Sequence, residues 1–285
     1  MKIALFFNPV KNEIFEYAKK IIKKLRSFGA KVFVYRNETQ NLFDENVYSS
    51  QDLNEFIKEC DVILTIGGDG TIIHMAKYAA NFSKPILGIN FGRLGFVTGL
   101  ERDELDKLEL LVKGKYFVQN RALLEVFAHK NGEIKTFFAV NDAVISKGEC
   151  TKIIDFSVTL NETEVCTYRA DGLILSTATG STAYSLSAGG PIISPKLECV
   201  LMTPICPHSI FAKPVVFSGS DLVEITVSEK DNGNILLNID GHNVTNLSNF
   251  DKVTVKCAQK KVSIISFDDR CFYKRLSEKL LKKED

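Results

Sequence analysis

The stretch Asp61-Val-Ile-Leu-Thr-Ile-Gly-Gly-Asp-Gly-Thr71 decides how the rest of the chain is interpreted. Residues 62–66 are mostly apolar and lie between an aspartate and a glycine turn, which predicts a strand buried on both faces. Thr71 is expected to cap a helix from Ile72 to about Ala80. A helix N-terminus that follows glycines, which leave the main chain uncovered, suits phosphate. The predicted phosphate loop consists of Gly67, Gly68, Gly70 and Thr71.

Asp69 is the one acid inside this glycine turn. A carboxylate beside a phosphate is electrostatically unfavourable, so we expect Asp69 either to hold a metal ion or to accept a proton from an attacking hydroxyl. The alternative is a glycine-rich turn with no chemical role. His74 lies one turn further along the predicted helix, within reach of a phosphate, although a lone histidine is usually structural. The motif is neither the Walker pattern nor G-x-G-x-x-G.

The composition indicates a folded protein of two domains. The chain has 285 residues, of which 45% are hydrophobic and 25% are charged, and its net charge of +1 provides no basic surface for nucleic acid. The seven cysteines are odd in number and form no C-x-x-C pair, so we expect reduced thiols and neither disulfides nor a zinc site. No signal peptide and no apolar run of membrane length is recognised. The expectation is a cytoplasmic protein with no membrane or nucleic-acid partner.

The first part of the chain alternates strands with helices, which predicts a doubly wound parallel sheet. The predicted elements are strands at 2–7, 31–35, 62–66 and 85–90, and helices at 12–28, 52–60 and 72–80. Ligands bind such sheets at the carboxyl ends of the strands. The glycine turns that follow Ile66 and Asn90 are therefore expected at the same edge.

The pattern changes near residue 115 to short alternating strands, which predicts an all-β sandwich. Strands are expected at 121–128, 134–140, 142–146, 153–160, 164–169, 173–175, 213–217, 222–228, 234–240 and 252–257. Residues 272–285 have helical spacing and are expected to pack on the first domain. The predicted domains are an α/β nucleotide-binding domain, 1–115 joined by 258–285, and a β-sandwich domain that binds the second ligand, 116–257.

Two further segments carry candidate binding residues. Asn141 and Asp142 interrupt an apolar run, so they form either a turn between strands or a site that binds a base edge and a sugar hydroxyl. Asp171–Pro191 contains a strand followed by seven serine or threonine hydroxyls, which suit a ligand with ribose and phosphate groups. The alternative, a flexible linker, does not account for the strand or for Tyr184, which is suited to stack on a base.

With these segments in order, the chain resembles the NAD kinases over nearly its whole length. The matching stretches are residues 67–71, 90–96, 141–142, 171–191, 207–209 and 240–241. The first of them is also shared with diacylglycerol and sphingosine kinases and with phosphofructokinases. The stretch 171–191 is far more specific to NAD kinases.

The resemblance implies transfer of a phosphoryl group from ATP, with a divalent metal such as Mg²⁺, to the 2′-hydroxyl of the adenosine ribose of NAD. It implies a homodimer or homotetramer and makes Asp69 the proton acceptor. It leaves the metal ligands open. The NAD-binding positions that it implies are Asp69, Gly70, His74, Asn141, Asp142, Lys152, Arg169, Asp171, Thr182, Ala183, Tyr184, Ser185, Leu186, Ser187 and His242.

The chain departs from the family pattern at four positions. Asp142 stands where glutamate is usual, His74 where arginine or lysine is common, Ala178 where proline is usual and His242 where glutamine is frequent. Two other functions remain as alternatives. A lipid kinase would share the glycine turn, but it would need an apolar groove in place of the hydroxyl-rich stretch. A non-catalytic NAD-binding module would bind NAD without turning it over.

Overall fold

The computed structural model describes residues 1–7, 12–35, 48–50, 52–92, 95–148, 153–209, 212–228, 235–268 and 271–281. The strands are β1 (Lys2–Phe7), β2 (Lys31–Tyr35), β3 (Tyr48–Ser50), β4 (Val62–Gly67), β5 (Ile86–Asn90), β6 (Phe117–Lys130), β7 (Glu133–Ala139), β8 (Asp142–Lys147), β9 (Ile154–Leu160), β10 (Thr163–Ala170), β11 (Gly172–Ser176), β12 (Cys199–Ile205), β13 (Val215–Ser218), β14 (Val223–Ser228), β15 (Ile235–Ile239), β16 (His242–Leu247) and β17 (Lys252–Ser266). The α-helices are α1 (Asn12–Ser27), α2 (Leu53–Glu59), α3 (Asp69–Asn81), α4 (Leu108–Val112), α5 (Tyr184–Ser187) and α6 (Cys271–Leu281), and two 3₁₀ turns lie at Leu105–Lys107 and Gly180–Thr182.

The chain forms two compact units. The first comprises Met1–Asn120 and Val262–Asp285, and the second comprises Arg121–Lys261. The boundaries fall within β6 and β17, so the first unit is built from two separate segments of the chain. Among the described residues, no helix is long and apolar enough to span a membrane.

The first unit contains a parallel sheet in the order β3-β2-β1-β4-β5-β17. The apolar positions of α1 recur at three- and four-residue spacing and are buried with the sheet residues Ile3, Leu5, Leu64 and Leu87. The predicted α/β architecture is therefore confirmed. The short strand β3 was not predicted, because three residues are too few for a recognisable pattern.

The second unit is a sandwich of two antiparallel layers. One layer has the order β13-β12-β11-β8-β15-β16; the other contains β10-β9-β14-β17, with β6 paired to β7 and β17. Leu173 and Leu175 of the first layer share one core with Phe156 and Val158 of the second. The predicted all-β sandwich is confirmed.

Strands β12 and β16 were missed by the sequence patterns. β12 is almost entirely buried and therefore shows no alternation of polar and apolar residues. It also contains Pro204, which is uncommon inside a strand and lies beyond the part of β12 that pairs with β13. β16 is an edge strand that is mostly exposed and polar, so it lacked an apolar face to recognise.

Candidate active site

The glycine turn joins β4 to α3 and places Asp69 at the first residue of the helix. The predicted cap at Thr71 is wrong: the helix begins at Asp69, with Gly68 in the N-cap position and no side chain capping it. The hydroxyl of Thr71 instead lies against Gly67, where an added β-carbon would come within 2.2 Å of Oγ1. A glycine is needed at position 67 because this approach leaves no room for a side chain.

The carboxylate of Asp69 is held by the main chain of the segment that follows β5. Oδ2 accepts a hydrogen bond from the Phe96 N–H at 2.7 Å, and Oδ1 accepts from Val97 at 3.0 Å and from Thr98 at 3.2 Å. Such donors stabilise negative charge and fix the direction of the carboxylate. The second glycine turn lies at the same edge of the sheet as the first, as predicted, since the Phe91 N–H donates to the Gly67 carbonyl at 3.0 Å.

The arrangement leaves Asp69 able to accept a proton. A carboxylate has about four lone-pair sites, and three of these are used by the main-chain donors, so one site on Oδ2 remains. Asp69 is only half-buried, and the space beside Gly68 and Gly70 is open, with no atom within 4 Å of an added β-carbon. A hydroxyl and a phosphate can therefore approach the turn.

Helix α6 packs against the segment that holds Asp69. The Phe272 ring lies 5.9 Å from the Phe96 ring, and the buried Arg275 donates through Nη1 to the carbonyl of Thr98. Arg275 also reaches Oε1 of Glu101 at 3.4 Å, while Oε2 of Glu101 accepts from the Asn90 amide at 2.7 Å. These contacts tie the C-terminal helix to the loop after β5.

In the second unit, Asp240 organises the main chain at Asn141 and Asp142. Its carboxylate accepts hydrogen bonds from the N–H groups of Val140 at 2.9 Å, Asn141 at 2.7 Å and Asp142 at 3.2 Å. Asp240 and Gly241, with φ of 48° and 80°, form the two-residue turn of the β15–β16 hairpin. The Asp-Gly pair is a recognisable hairpin signal in the sequence, but the hydrogen bonds of the Asp240 carboxylate were not predicted.

The environment of Asp142 favours its protonated form. The residue is only 5% exposed, and burial together with the nearby negative charge of Asp240 raises the pKa of Asp142 to about 7. At neutral pH its carboxyl group therefore titrates, and it can act as donor or as acceptor toward a sugar hydroxyl.

The structure brings Asn141 and Asp142 together with the start of the hydroxyl-rich stretch. The Thr177 hydroxyl donates to the Val140 carbonyl at 2.7 Å and accepts from the Gly180 N–H at 3.0 Å. An added β-carbon on Gly180 would fall 2.1 Å from the Asn141 carbonyl oxygen. Position 180 therefore requires glycine because two main-chain segments meet there.

Several hydroxyls of this stretch are engaged within the protein. Ser185 is fully buried and its hydroxyl lies 2.8 Å from that of Thr203, while the Thr182 hydroxyl donates to the Thr179 carbonyl at 3.1 Å. Tyr184 is 48% exposed, and Leu186 and Ser187 are also exposed on the short helix α5. Part of the hydroxyl-rich stretch therefore stabilises its own loop, and the binding of a ribose-and-phosphate ligand by the rest of it stays a prediction.

The remaining candidate residues have ion-pair partners of their own, are exposed, or lie outside the described residues. The Arg169 guanidinium pairs with Asp155 across neighbouring strands at 2.9 Å, and Asp171 accepts from the Lys147 ammonium at 2.7 Å. His74 and His242 are exposed on α3 and at the start of β16. Lys152 lies outside the described residues.

Comparisons with known proteins place this geometry in a family. The family model of the ATP-NAD kinase N-terminal domain matches residues 3–116, and that of the ATP-NAD kinase C-terminal domain matches residues 140–267. An NAD kinase of Chlorobium luteolum is 36% identical over 282 residues, covering 99% of this chain and 97% of that protein. An NAD kinase of Caldanaerobacter subterraneus is 33% identical over 284 residues, covering 99% of both chains.

Solved structures share the fold. A yeast NADH kinase complexed with NADH superimposes with a TM-score of 0.89 at 24% identity, covering 100% of this chain and 89% of that one. An NAD kinase from Archaeoglobus fulgidus in complex with ATP gives a TM-score of 0.73 at 23% identity, covering 98% of both chains. From both domain models and from full-length relatives above 30% identity, we conclude that the chain belongs to the NAD kinase family.

Proposed function

We propose that the chain transfers the terminal phosphoryl group of ATP to the 2′-hydroxyl of the adenosine ribose of NAD, forming NADP and ADP. Family membership identifies it as a kinase that acts on NAD. The observation that carries the mechanism is the Asp69 carboxylate, held by three main-chain N–H groups beside an open glycine turn. Such a fixed carboxylate is suited to receive the hydroxyl proton.

In this reaction the 2′-oxygen bonds to the γ-phosphorus as the bond from that phosphorus to the β-bridging oxygen breaks. The hydroxyl proton passes to the free lone pair on Oδ2 of Asp69, and ADP leaves with the electrons of the broken bond. The main chain at Gly68 and Gly70 and the N-terminus of α3 face the phosphates. Yeast NADH kinase complexed with NADH and an archaeal NAD kinase complexed with ATP share the fold, which is compatible with both substrates.

A divalent metal such as Mg²⁺ would enter with the substrate phosphates. Among the described residues there is no group of three or more histidine, cysteine, aspartate or glutamate side chains that is arranged to hold a metal ion. Mg²⁺ is commonly bound by substrate phosphates with one or two carboxylates. We infer that Mg²⁺ would be held by the ATP phosphates and would supply positive charge to the transferred group.

The adenosine half of NAD binds in the second unit. Asn141 and Asp142 supply an amide and a carboxyl group at the start of β8, and Tyr184 supplies an exposed ring that is suited to stack on adenine. The other NAD-binding positions in this proposal are Gly70, His74, Lys152, Arg169, Asp171, Thr182, Ala183, Ser185, Leu186, Ser187 and His242. For Ser185 the contact is assigned to the main chain, because its hydroxyl is buried against Thr203.

The active form is proposed to be a cytoplasmic homodimer or homotetramer. Support for oligomerisation comes from Tyr184 and Leu186, whose apolar side chains are exposed on α5, and support for a reducing compartment comes from the free thiols of Cys60, Cys166, Cys199, Cys206 and Cys257. Sedimentation at assay concentration tests the oligomer. A fully active monomer contradicts it.

The decisive experiment is incubation of the purified protein with NAD, ATP and Mg²⁺, followed by an assay for NADP. Sphingosine and diacylglycerol, with ATP and Mg²⁺, are the matched alternative acceptors. NADP formation without lipid phosphorylation supports the proposal. NAD binding without turnover supports a non-catalytic module, and lipid phosphorylation without NADP supports a lipid kinase.

A further inference from the structure

The C-terminal helix α6 presents one face to the segment that holds Asp69. Phe272, Arg275 and Lys279 are spaced by three and four residues and therefore lie on the same side of the helix. Phe272 and Arg275 are both buried, and they contact the Phe96 ring and the Thr98 carbonyl. These two buried contacts fix the orientation of α6, and they therefore also fix the position from which Lys279 extends.

Lys279 extends from this face over the ring of Phe96. Its Nζ lies 3.8 Å from the ring centroid, a distance at which a cation is attracted to the face of an aromatic ring. The N–H of the same Phe96 donates to Oδ2 of Asp69 at 2.7 Å. The ammonium group is therefore held next to the residue that binds the proton-accepting oxygen.

The electrostatic environment of Lys279 includes Asp69. Burial lowers the pKa of Lys279, and the negative charge of Asp69 opposes that effect by favouring the ammonium form. Within the described part of the chain, no side chain or carbonyl accepts a hydrogen bond from Nζ of Lys279. Its three N–H groups are thus available to an added anion.

The glycine turn itself supplies no basic side chain. Residues 67–71 read Gly-Gly-Asp-Gly-Thr, so the turn offers phosphate only main-chain N–H groups, to which a metal bound by ATP would add positive charge, while Asp69 adds a negative charge. Transferring a phosphoryl group beside a carboxylate needs further positive charge, which a lysine commonly provides in other nucleotide enzymes.

We propose that Lys279 is a catalytic residue of this site, donating from Nζ to the oxygens of the transferred phosphate and balancing the charge of Asp69. This inference rests on the proposed phosphoryl transfer. It assigns Arg275 and Phe272 the role of positioning residues that hold α6 and its lysine against Phe96. The chemical class of ligand is the polyphosphate of a nucleoside triphosphate.

The test compares Lys279→Met with Lys279→Arg, and with Lys274→Met as the matched control. Lys274 is a lysine of the same helix that pairs with Asp268 and lies on another face. With NAD saturating, we expect Lys279→Met to lower kcat/KM for ATP roughly 10- to 100-fold, the range of a charged hydrogen bond, and Lys279→Arg to recover most of the loss. NAD affinity and the thermal midpoint should stay at the wild-type level.

A second readout uses inorganic tripolyphosphate with Mg²⁺, titrated by calorimetry into the full chain. We expect weaker binding by Lys279→Met than by Lys274→Met. If Lys279→Met keeps kcat/KM for ATP within about twofold of the Lys274→Met control, the inference is overturned. It is also overturned if NAD affinity and thermal midpoint fall together with activity, since that pattern indicates a structural role. A wild-type protein that forms no NADP contradicts the proposed function instead.

Discussion

Gly95 lies against the carboxylate of Asp69, so closely that a β-carbon added to it would come within 2.2 Å of Oδ1. Gly95→Ala therefore displaces the carboxylate without removing it. We expect kcat to fall at least tenfold because the Asp69 carboxylate is no longer aligned with the hydroxyl whose proton it accepts. NAD affinity measured by calorimetry should be nearly unchanged, since Asn141 and Tyr184, which we propose to bind the adenosine half, belong to the second unit and keep their own packing. Wild-type kcat in a folded Gly95→Ala protein would show that the orientation of Asp69 is unimportant.

Asp69→Asn removes the proton acceptor itself. If Asp69 is the base, kcat at saturating NAD and ATP should fall by roughly 10²–10⁴. The structure adds a second expectation: one oxygen becomes an amino group that faces main-chain N–H donors, so the loop at 96–98 loses acceptors and the thermal midpoint should also fall. A mutant that makes NADP at near the wild-type kcat would refute the mechanism, whatever its stability.

Gly70→Ala separates ligand binding from folding. The site has no neighbour within 4 Å and is the second residue of α3, where alanine is favoured over glycine by about 0.5–1 kcal/mol. We expect an equal or higher thermal midpoint. KM for ATP should rise about tenfold, because the methyl group occupies the space in which phosphate is proposed to bind. A mutant with unchanged kinetics would show that phosphate does not pack against this part of the turn.

Asp142→Asn should alter how stability depends on pH. The pKa of Asp142 is raised from 3.8 in the unfolded chain to about 7, so the folded state binds more protons between these values and stability is lost as the pH rises through this window. The variant lacks this loss, so its free energy of unfolding minus that of wild type should increase by on the order of 2 kcal/mol from pH 5 to pH 8. Thermal unfolding at both pH values measures this. Asp106→Asn, at a side chain that is 96% exposed, is the control, and an equal response of the two variants would contradict the raised pKa.

Tyr184→Ala should weaken NAD binding by about 1–3 kcal/mol, the value of one aromatic–base stack. Because the side chain is 48% exposed, its removal should change the free energy of unfolding little. Tyr184→Phe keeps the ring and should bind NAD nearly as well as wild type. Calorimetry measures the NAD affinity of both variants. Equal affinities of the alanine and phenylalanine variants would show that the Tyr184 ring does not stack on adenine.

The sequence predicted the secondary-structure elements that depend on local residue patterns. The strand before Gly67, the helix after it and the spacing of α1 follow from periodicity and from glycine, and the change to a sandwich follows from shorter alternating strands. The exact start of α3 was misjudged because Thr71 is a good capping residue, and only the structure shows its hydroxyl engaged against Gly67.

The sequence did not predict which partners the functional acids would take. Asp69 binds N–H groups that are 27 to 29 residues away, and Asp240 binds N–H groups that are 98 to 100 residues away. Main-chain N–H groups carry no sequence signature, so contacts of this kind depend on how strands are placed beside one another. The same holds for Ser185. Its sequence position suggested a hydroxyl that binds a ligand, but in the folded protein this hydroxyl is buried against Thr203.

The division of the first unit between two separate segments of the chain has a consequence for its biosynthesis. The ribosome makes Asp69 together with the loop that binds it, but it makes Arg275, which anchors α6 to that loop, only after the whole of the second unit. Domains generally fold as units while the chain emerges. A chain that ends before residue 271 would thus hold the glycine turn, the sandwich and every candidate NAD contact, yet it would lack the helix that packs on the loop holding the Asp69 carboxylate, so that Asp69 is fully supported only after α6 has been made.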